Sequence, residues 1–311
     1  MKKFIYTLLL FVTAFFILDK IFLFFIYLAP NSEVDMRLEQ LITGKINKEC
    51  IVIGSSRGAR NIIAKQIEKG TGLSTYNLSY PGSDIEFHEF LLRSLLKFNQ
   101  KPKIVLLAVD DPSELLPSKS IKFRLDLLYP IVKYTYINNE LIARGEKNYL
   151  SKILCLSRIN KSNFDLRKKH FSALDTIIDC GSMPISFQRE NRIFKYDTIN
   201  QYYLMKNELT NKVNAFTNFQ QMCNNNGIKL YVVFSPNFQQ HNFIFEKRIK
   251  ELTNNNVGYF IYDFSNIIYK DKSYFYDEGH LQTKGARIFT DELVKFLNTE
   301  KAHGGNKGYM Q

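Results

Sequence analysis

The amino-acid sequence predicts an α/β protein: a three-layer α/β/α sandwich around a parallel sheet of about five strands, preceded by an N-terminal transmembrane helix. Three observations lead to this prediction. Residues 4–28 are almost entirely apolar. Short apolar runs then alternate with amphipathic segments, a pattern typical of parallel sheets with helices on both faces. The length of 311 residues suffices for one large α/β domain with a substantial insertion, or for two small domains.

The N-terminal apolar run predicts an uncleaved membrane anchor over residues 1–30. A span needs about 20 mostly apolar residues, and only Asp19 and Lys20 interrupt this run. Lys2 and Lys3 precede it, so the positive-inside rule places the N-terminus in the cytoplasm and the remaining chain outside. A cleaved signal peptide is the alternative. Its apolar core is usually about 7–15 residues long and ends at small residues, which this run lacks.

After a polar connection, the first half of the chain alternates regularly. Buried strands are predicted at "CIVIGSS", "LSTYNLSYPG" and "KIVLLAVD", because these runs are short and apolar and end at turn residues. Between them, "RNIIAKQIEKG" and "IEFHEFLLRSLLKF" carry apolar residues at helical spacing. The first of these helices is predicted to end at Gly70.

The pattern lapses over about 112–203, a basic segment without a repeat that is predicted to be a mostly helical insertion over the carboxyl edge of the sheet. It returns with helices predicted at about 207–226 and 242–254 and strands at "IKLYVVFSPN" and "GYFIYDFS". A loop then carries "YFYDEGHLQTKGA", and a last helix is predicted over about 283–297. One domain is therefore predicted over 31–300, followed by a flexible tail over 301–311.

The net charge is compatible with several kinds of partner, and missing motifs argue against nucleic acid and a structural zinc site. The net charge of +12 suits nucleic acid, anionic lipid or acidic polysaccharide, and a solvated basic surface is the simplest explanation. Zinc-finger and RNP motifs are absent from the sequence, so we predict no nucleic-acid partner. The four cysteines form no CxxC pair, so a structural zinc site is not predicted. No motif calls for a metal or a cofactor.

The stretch "ECIVIGSSRGAR" contains the first candidate for chemistry. Gly54-Ser55-Ser56-Arg57-Gly58 fits G-x-S-x-G, the nucleophile elbow of α/β-hydrolases. In that fold several strands precede the elbow, whereas here it follows the first strand after the anchor. The position therefore argues against an α/β-hydrolase.

The chain more closely resembles the SGNH, or GDSL-like, hydrolases, whose nucleophilic serine follows the first strand. The family's G-D-S corresponds to Gly54-Ser55-Ser56, so the resemblance makes Ser56 the nucleophile. The family's D-x-x-H block, just before the last helix, corresponds to Asp277-Glu278-Gly279-His280. This makes His280 the base and Asp277 the residue that orients it. The resemblance covers the predicted domain except its insertion and implies an SGNH or flavodoxin-like fold.

The resemblance also suggests an oxyanion hole, with one departure from the family. The N–H groups of Ser56 and Gly82 would bind the oxyanion. The family's third block, G-x-N-D, corresponds to Ala108-Val109-Asp110-Asp111, so Asp110 stands where an asparagine is expected. An ionised carboxylate would repel a developing oxyanion. Asn237, which follows the fourth strand, is a replacement donor by position.

Elementary chemistry supports the same three residues, because a serine hydroxyl needs a base to become a useful nucleophile and a carboxylate fixes the tautomer of that base. Other roles stay open for each residue. Ser56 could be a helix N-cap, His280 a surface residue, Asp277 a cap of the last helix, Gly82 a turn residue and Arg57 a solvated or anion-binding side chain. Ser55 fits a small packing residue better than a nucleophile.

The resemblance implies a serine esterase or O-acyltransferase outside the cytoplasm, acting on acyl, above all acetyl, esters of envelope or exopolysaccharide glycans. Its partners would be an acylated carbohydrate or another ester, the membrane through the N-terminal helix, and a membrane-bound partner in acyl transfer. The alternative is a non-catalytic envelope protein that keeps the fold and binds glycan or a membrane partner. Asp110 in place of asparagine favours that alternative.

Overall fold

The computed structural model describes residues 1–28, 33–109, 112–159, 170, 172–188, 193–198 and 203–305. The chain divides into two compact units. One comprises Met1–Met36 and Arg124–His170, and the other comprises Arg37–Phe123 and Phe171–Gln311. The first unit therefore joins the N-terminal segment to a part of the predicted insertion. The predicted domain boundaries stay predictions.

A parallel sheet of five strands forms the centre of the second unit, which confirms the predicted fold class. Its strands are β1 (Cys50–Gly54), β2 (Thr75–Asn77), β3 (Ile104–Val109), β4 (Lys229–Phe234) and β5 (Gly258–Ile261). They lie in the order β2-β1-β3-β4-β5, and every pair is parallel. The order reverses at β1, which pairs with β2 on one side and β3 on the other. In open α/β sheets ligands bind at the carboxyl ends of the strands beside such a reversal.

The segment that was predicted as a loop before the last helix contains a small hairpin. Its strands are β6 (Phe275–Asp277) and β7 (His280–Leu281), which pair in antiparallel fashion with Asp277 opposite His280. The loop prediction was therefore wrong at these residues. Period-two alternation over two or three residues is too short to predict a strand from sequence.

Helices cover both faces of the sheet. In the described residues the α-helices are α1 (Lys2–Leu28), α2 (Arg37–Ile42), α3 (Ser56–Asn61), α4 (Ala64–Thr71), α5 (Ile85–Phe98), α6 (Leu125–Leu128), α7 (Thr135–Ala143), α8 (Leu150–Ile153), α9 (Thr210–Asn225), α10 (Phe243–Leu252) and α11 (Thr283–Gly305). On one face Val52 and Leu106 pack with Phe289 and Leu293 of α11. On the other face α5 contacts β1 and α9 contacts β4. Fully burying one such aliphatic or aromatic side chain contributes roughly 1.5–3 kcal/mol.

Two helices differ from their predicted bounds. The helix predicted over "RNIIAKQIEKG" is split into α3 and α4, because Ile62 has extended backbone angles of −113° and 118°. The buried amide of Asn77 donates to the carbonyls of Gly58 and Ile62 and stabilises this break. Helix α11 continues to Gly305, beyond its predicted end at Leu297. The predicted tail from residue 306 onward lies outside the described residues.

The described part of the predicted insertion is less helical than the sequence suggested. Its α-helices, α6, α7 and α8, are short, and much of the rest consists of 3₁₀ turns and irregular chain. Gly145 and Gly181 have φ angles of 77° and 85°, and this left-handed conformation interrupts right-handed helix. Residues 160–169, 171, 189–192 and 199–202 lie outside the described part.

Helix α1 dominates the first unit. It has 27 residues, and it is the one helix in the described residues that is long and apolar enough to cross a membrane. At 1.5 Å per residue its length is about 40 Å, which exceeds a hydrocarbon core of about 30 Å. Length and composition are equally compatible with a signal sequence.

Candidate active site

The glycines of "GSSRG" allow a strand and a helix to meet closely. A Cβ on Gly54 would lie 2.8 Å from the Cβ of Ala108 on the neighbouring strand. A Cβ on Gly58 would lie 2.6 Å from the Oγ of Ser79 and 3.1 Å from the Cβ of Ala108. A larger residue at Gly58 would push α3 away from the sheet, and one at Gly54 would disturb the pairing of β1 with its neighbouring strand β3. The two glycines therefore hold the start of α3 at the carboxyl end of β1.

The two serines of this turn have different surroundings. Ser55 is fully buried, and its Oγ has no hydrogen-bond partner among the described residues. It occupies the position before α3, but its side chain makes no capping hydrogen bond. Ser56 is the first residue of the helix and is half-buried. Its Oγ lies 2.8 Å from Nε2 of His280, so Ser56 is the serine that faces an imidazole.

His280 connects Ser56 to a carboxylate. Its Nδ1 lies 2.7 Å from Oδ1 of Asp277, which also accepts a hydrogen bond of 2.9 Å from the N–H of Gly279. An ionised carboxylate only accepts, so Nδ1 carries the proton and Nε2 is free to accept from the Ser56 hydroxyl. The pairing of β6 with β7 places Asp277 directly opposite His280. The three predicted residues thus form one continuous hydrogen-bonded array.

Asn61, which the sequence analysis did not single out, links the serine helix to the histidine hairpin. It is fully buried at the end of α3. Its Oδ1 accepts a hydrogen bond of 3.0 Å from the N–H of Leu281, the residue after His280. Its Nδ2 donates a 2.7 Å hydrogen bond to Oγ of Ser235, just after β4. The signal in the sequence was a polar residue in an apolar run, which is weak without the partners.

We expect Asn61→Leu to destabilise the protein and to lower its activity. The change leaves the Leu281 N–H and the Ser235 hydroxyl buried without partners, at about 1–3 kcal/mol each. Urea unfolding of the full chain in detergent and hydrolysis of an acetyl ester measure the two effects. Asn298→Leu is the matched control: Asn298 is exposed, so its loss should stay within about 0.5 kcal/mol. Unchanged unfolding and hydrolysis in Asn61→Leu would contradict this prediction.

Three further residues were predicted to line the oxyanion hole. Gly82 lies in a turn with a φ of 74°, and its carbonyl accepts from the N–H of Lys122. No described residue accepts a hydrogen bond from the Gly82 N–H. Asn237 is buried and lines a cavity of about 20 Å³ together with Arg57. Asp110 lies outside the described residues, so its predicted position in the site stays a prediction.

Arg57 differs from the simplest expectation for an exposed arginine. It follows Ser56 and is only 7% exposed, so its interpretation as a solvated side chain was wrong. Its Nε lies 4.0 Å from the point where a Cβ on Gly279 would stand, next to the Asp277–His280 turn. Burial raises the pKa of the Tyr262 hydroxyl, and the charge of Arg57 opposes that rise. Arg57 therefore brings a buried positive charge to the edge of the serine–histidine array.

A second histidine lies behind the Gly82 turn. His88 is 1% exposed, and its Nε2 lies 2.9 Å from Oγ of Ser83. The Ser83 hydroxyl is also 2.7 Å from the carbonyl oxygen of Tyr80. Burial, reinforced by the charge of Lys212, lowers the pKa of His88 to about 3. Nδ1 of His88 lies 3.9 Å from Oε2 of the buried Glu114, but burial has the larger effect on the pKa of His88. His88 is therefore neutral at physiological pH and connects the core to the turn that carries Gly82.

The buried His88 should make stability depend on pH. In the unfolded chain its pKa is about 6.5, so from pH 6.5 down to about 3 the unfolded state binds a proton that the folded state excludes. The contribution of the neutral His88 to the free energy of unfolding is complete above pH 6.5. It is lost on acidification at about 1.4 kcal/mol per pH unit. Urea unfolding between pH 6.5 and 4.5 should show this slope reduced in His88→Gln. The matched control His170→Gln, at an exposed histidine, should keep the slope; equal slopes in both variants would refute the prediction.

The described residues form neither a group of metal ligands nor a disulfide at this site. Among the described residues, no group of three or more His, Cys, Asp or Glu side chains is placed to hold a metal ion. Cys50, Cys155, Cys180 and Cys223 are free thiols. Cys50 is fully buried in β1, in agreement with a small core residue.

The chain is similar to known proteins in structure but matches none of them in sequence. No protein-family model matches the chain, and no curated protein matches it. Among solved structures, the crystal structure of a candidate acylhydrolase from Bacteroides fragilis is similar, with a TM-score of 0.38 and 9% sequence identity. That alignment covers 88% of this chain and 99% of the other. The residues of the site are therefore what indicates the function of this chain.

Proposed function

We propose that this chain is an SGNH-type serine esterase or O-acyltransferase that uses Ser56 as nucleophile, His280 as general base and Asp277 as the residue that orients the base. One observation carries the proposal: the continuous array in which Oγ of Ser56, the His280 ring and the Asp277 carboxylate are joined at 2.8 and 2.7 Å. A helix cap or a surface histidine has no need of both contacts. Nucleophile, base and orienting carboxylate in hydrogen-bond reach are the requirements of covalent acyl transfer.

In the first half-reaction, Oγ of Ser56 attacks the ester carbonyl carbon while Nε2 of His280 takes the hydroxyl proton. The oxyanion that forms is held by the N–H groups of Ser56 and Gly82, with Asn237 as a further donor; the role of Asp110 stays a prediction. The carbon–oxygen bond to the leaving alcohol then breaks, and His280 donates its proton to that alcohol. An acyl ester of Ser56 remains.

In the second half-reaction, His280 removes a proton from the acceptor as the acceptor oxygen attacks the acyl carbon. The bond to Ser56 breaks, and the proton returns from His280 to Oγ. Water as acceptor makes the protein an esterase, whereas a sugar hydroxyl makes it an O-acyltransferase. Asp277 stabilises the imidazolium in both halves and keeps the proton on Nδ1.

Glycan esters are the proposed substrate class, with acetyl as the proposed acyl group. Support comes from a cavity of about 300 Å³ lined by aromatic side chains, among them Tyr262 and Phe264, and by the polar groups of Gln240 and Lys270. His241 lines this cavity and also the small cavity beside Arg57. Apolar faces with a few polar groups suit a sugar ring, which has both apolar and hydroxyl surfaces.

The proposed location is outside the cytoplasm, with α1 as a membrane anchor. Support comes from the length of α1 and from Lys2 and Lys3 at its start, which favour a cytoplasmic N-terminus. A membrane-bound partner that delivers or receives acyl groups would suit this location. The competing function is a non-catalytic protein that binds glycan or a membrane partner, favoured by Asp110 alone.

A serine-directed fluorophosphonate separates the two functions. The probe forms a covalent bond only with a serine whose hydroxyl is activated by a base, so the proposed enzyme should be labelled on Ser56. The purified full chain in detergent is labelled and digested, and the modified peptide is identified by mass spectrometry. Heat-unfolded protein is the control. A folded protein without label, or with label on Ser55, would reject the mechanism.

A further inference from the structure

Helix α1 has a buried carboxylate, which is unexpected in a helix that only anchors a protein in a membrane. Asp19 lies in the apolar helix, yet it is the one buried residue of α1, with 2% exposure. Its two carboxylate oxygens accept hydrogen bonds of 2.9 and 3.1 Å from the backbone N–H groups of Cys155 and Leu156. Lys20 contacts the same carboxylate at 3.1 Å and donates to the carbonyl of Ile153. A segment far away in sequence is therefore joined to the side of α1 within the first unit.

The level of this contact along α1 can be estimated from helix geometry. If the apolar core of the membrane begins near Phe4, directly after Lys3, then Asp19 lies about 22 Å along the axis at 1.5 Å per residue. A hydrocarbon core of about 30 Å extends some 8 Å further. Asp19 thus lies below the outer boundary of the core. Its hydrogen-bond partners, the N–H groups of Cys155 and Leu156, must lie at the same depth.

The segment that supplies these partners, residues 149–156, has the surface of a lipid-facing element. Tyr149, Leu150, Ile153 and Leu156 are 73%, 54%, 55% and 49% exposed. A cluster of large apolar side chains with this much exposed surface is uncommon on a protein surface that faces water. Lys152 lies in the same segment, with its Nζ 4.9 Å from the centre of the Tyr149 ring. Tyrosine and lysine are typical of the headgroup region, where their polar ends reach water.

The backbone of this segment is also suited to lipid. Short helix α8 satisfies part of it, and the N–H of Leu154 donates to the carbonyl of Leu150. The carbonyl of Ser151 accepts from both Asn138 and Arg158. The carboxylate of Asp19 accepts hydrogen bonds from the N–H groups of Cys155 and Leu156, which follow the helix. The ammonium group of Lys20 donates to the carbonyl of Ile153. Irregular chain is tolerated at membrane depth only where its polar groups find partners in the protein.

We infer that residues 149–156 form a second membrane element, which inserts into the outer leaflet beside α1 and is attached to it through Asp19. The inference rests on the proposed role of α1 as a membrane anchor. Its partner is the lipid bilayer itself, because the segment continues the lipid-facing surface of α1 at the level of Asp19. The pair Asp19–Lys20, unexpected in a membrane span, is then the attachment point between the two elements.

The absence of tryptophan from the chain makes a direct test possible. Single-tryptophan variants Ile153→Trp and Leu156→Trp of the full chain are reconstituted in phosphatidylcholine vesicles with and without brominated acyl chains. Phe15→Trp reports on α1, and Ile267→Trp, at a side chain that is 80% exposed in the other unit, gives the emission of an indole in water. Circular dichroism and resistance to trypsin establish that each variant is folded.

The expected result is a blue shift for both test variants and a loss of fluorescence with brominated lipid as large as that of Phe15→Trp. Adding Asp19→Ala to Ile153→Trp should reduce that loss, because the segment is released from α1. Emission and quenching equal to those of Ile267→Trp, with Phe15→Trp quenched, would overturn the second element while α1 remains an anchor. Failure of Phe15→Trp to respond would overturn the anchor and this inference together, and labelling of Ser56 would still test the chemistry independently.

Discussion

Ser56→Ala should abolish ester hydrolysis and acyl transfer. The variant loses the only hydroxyl that lies 2.8 Å from Nε2 of His280 among the described residues, so no acyl-enzyme forms. In a well-studied serine hydrolase such a loss lowers kcat on the order of 10⁶-fold, and water attack at the oxyanion hole supplies the small remaining rate. Hydrolysis of p-nitrophenyl acetate by the full chain in detergent, after removal of contaminating esterases, measures the change.

Ser55→Ala is the matched control for that experiment. The two serines are neighbours, but Oγ of Ser55 is buried and has no hydrogen-bond partner in the part of the chain that the structure describes. Its removal should leave most of the activity and should not lower stability, because an unpaired buried hydroxyl contributes nothing favourable. Full activity in Ser56→Ala, or its loss only in Ser55→Ala, would show that the mechanism is wrong and that this turn has a structural role.

His280→Ala should lower activity almost as far as Ser56→Ala. Without the imidazole, the serine keeps its proton and the leaving alcohol receives none. Loss of one member of a triad can cost as much as loss of the whole unit, so a decrease on the order of 10⁶-fold is expected. A merely structural histidine would show no response to added imidazole, whereas a missing base should be partly replaced by free imidazole in solution.

His170→Ala is the control for this change. His170 is exposed and does not belong to the site, so its variant should keep full activity and show no stimulation by imidazole. Unfolding curves of His280→Ala should stay near those of the unmodified chain, because the histidine lies at a partly exposed edge. An active His280→Ala variant would assign the base to another residue.

The strands and the long apolar helix α1 could be predicted from sequence because their signals are local. The runs that became β1, β3 and β4 are short and apolar, and such runs need both faces covered. The same applies to α1, where composition alone predicts a helix of membrane length. Hairpin β6–β7 and the break between α3 and α4 were missed. Both depend on partners elsewhere in the fold, such as the Asn77 amide that accompanies the break.

The site residues were predicted from their residue types and their spacing along the sequence, whereas the tertiary structure decided which of them are in contact. Order along the chain indicated Ser56, Asp277 and His280, but the strand-to-helix turn directs Ser56 and not Ser55 toward the imidazole. The burial of Arg57 and the bridge made by Asn61 could not be predicted from the local sequence, since each depends on residues more than a hundred positions away. Asp110 lies outside the described residues and stays a prediction.

By itself, the sequence determined an α/β fold with a parallel sheet, a long apolar helix at the start and a serine and a histidine block at opposite ends of the domain. These properties follow from hydrophobic periodicity and from the order of the motifs, both of which are visible in the amino-acid sequence itself. Only the tertiary structure decided that the two blocks meet, that Asn61 joins them, and that Asp19 contacts Cys155 and Leu156. The physical reason is that hydrogen bonds act over about 3 Å in space, while the residues they join are brought together by strand order and helix packing.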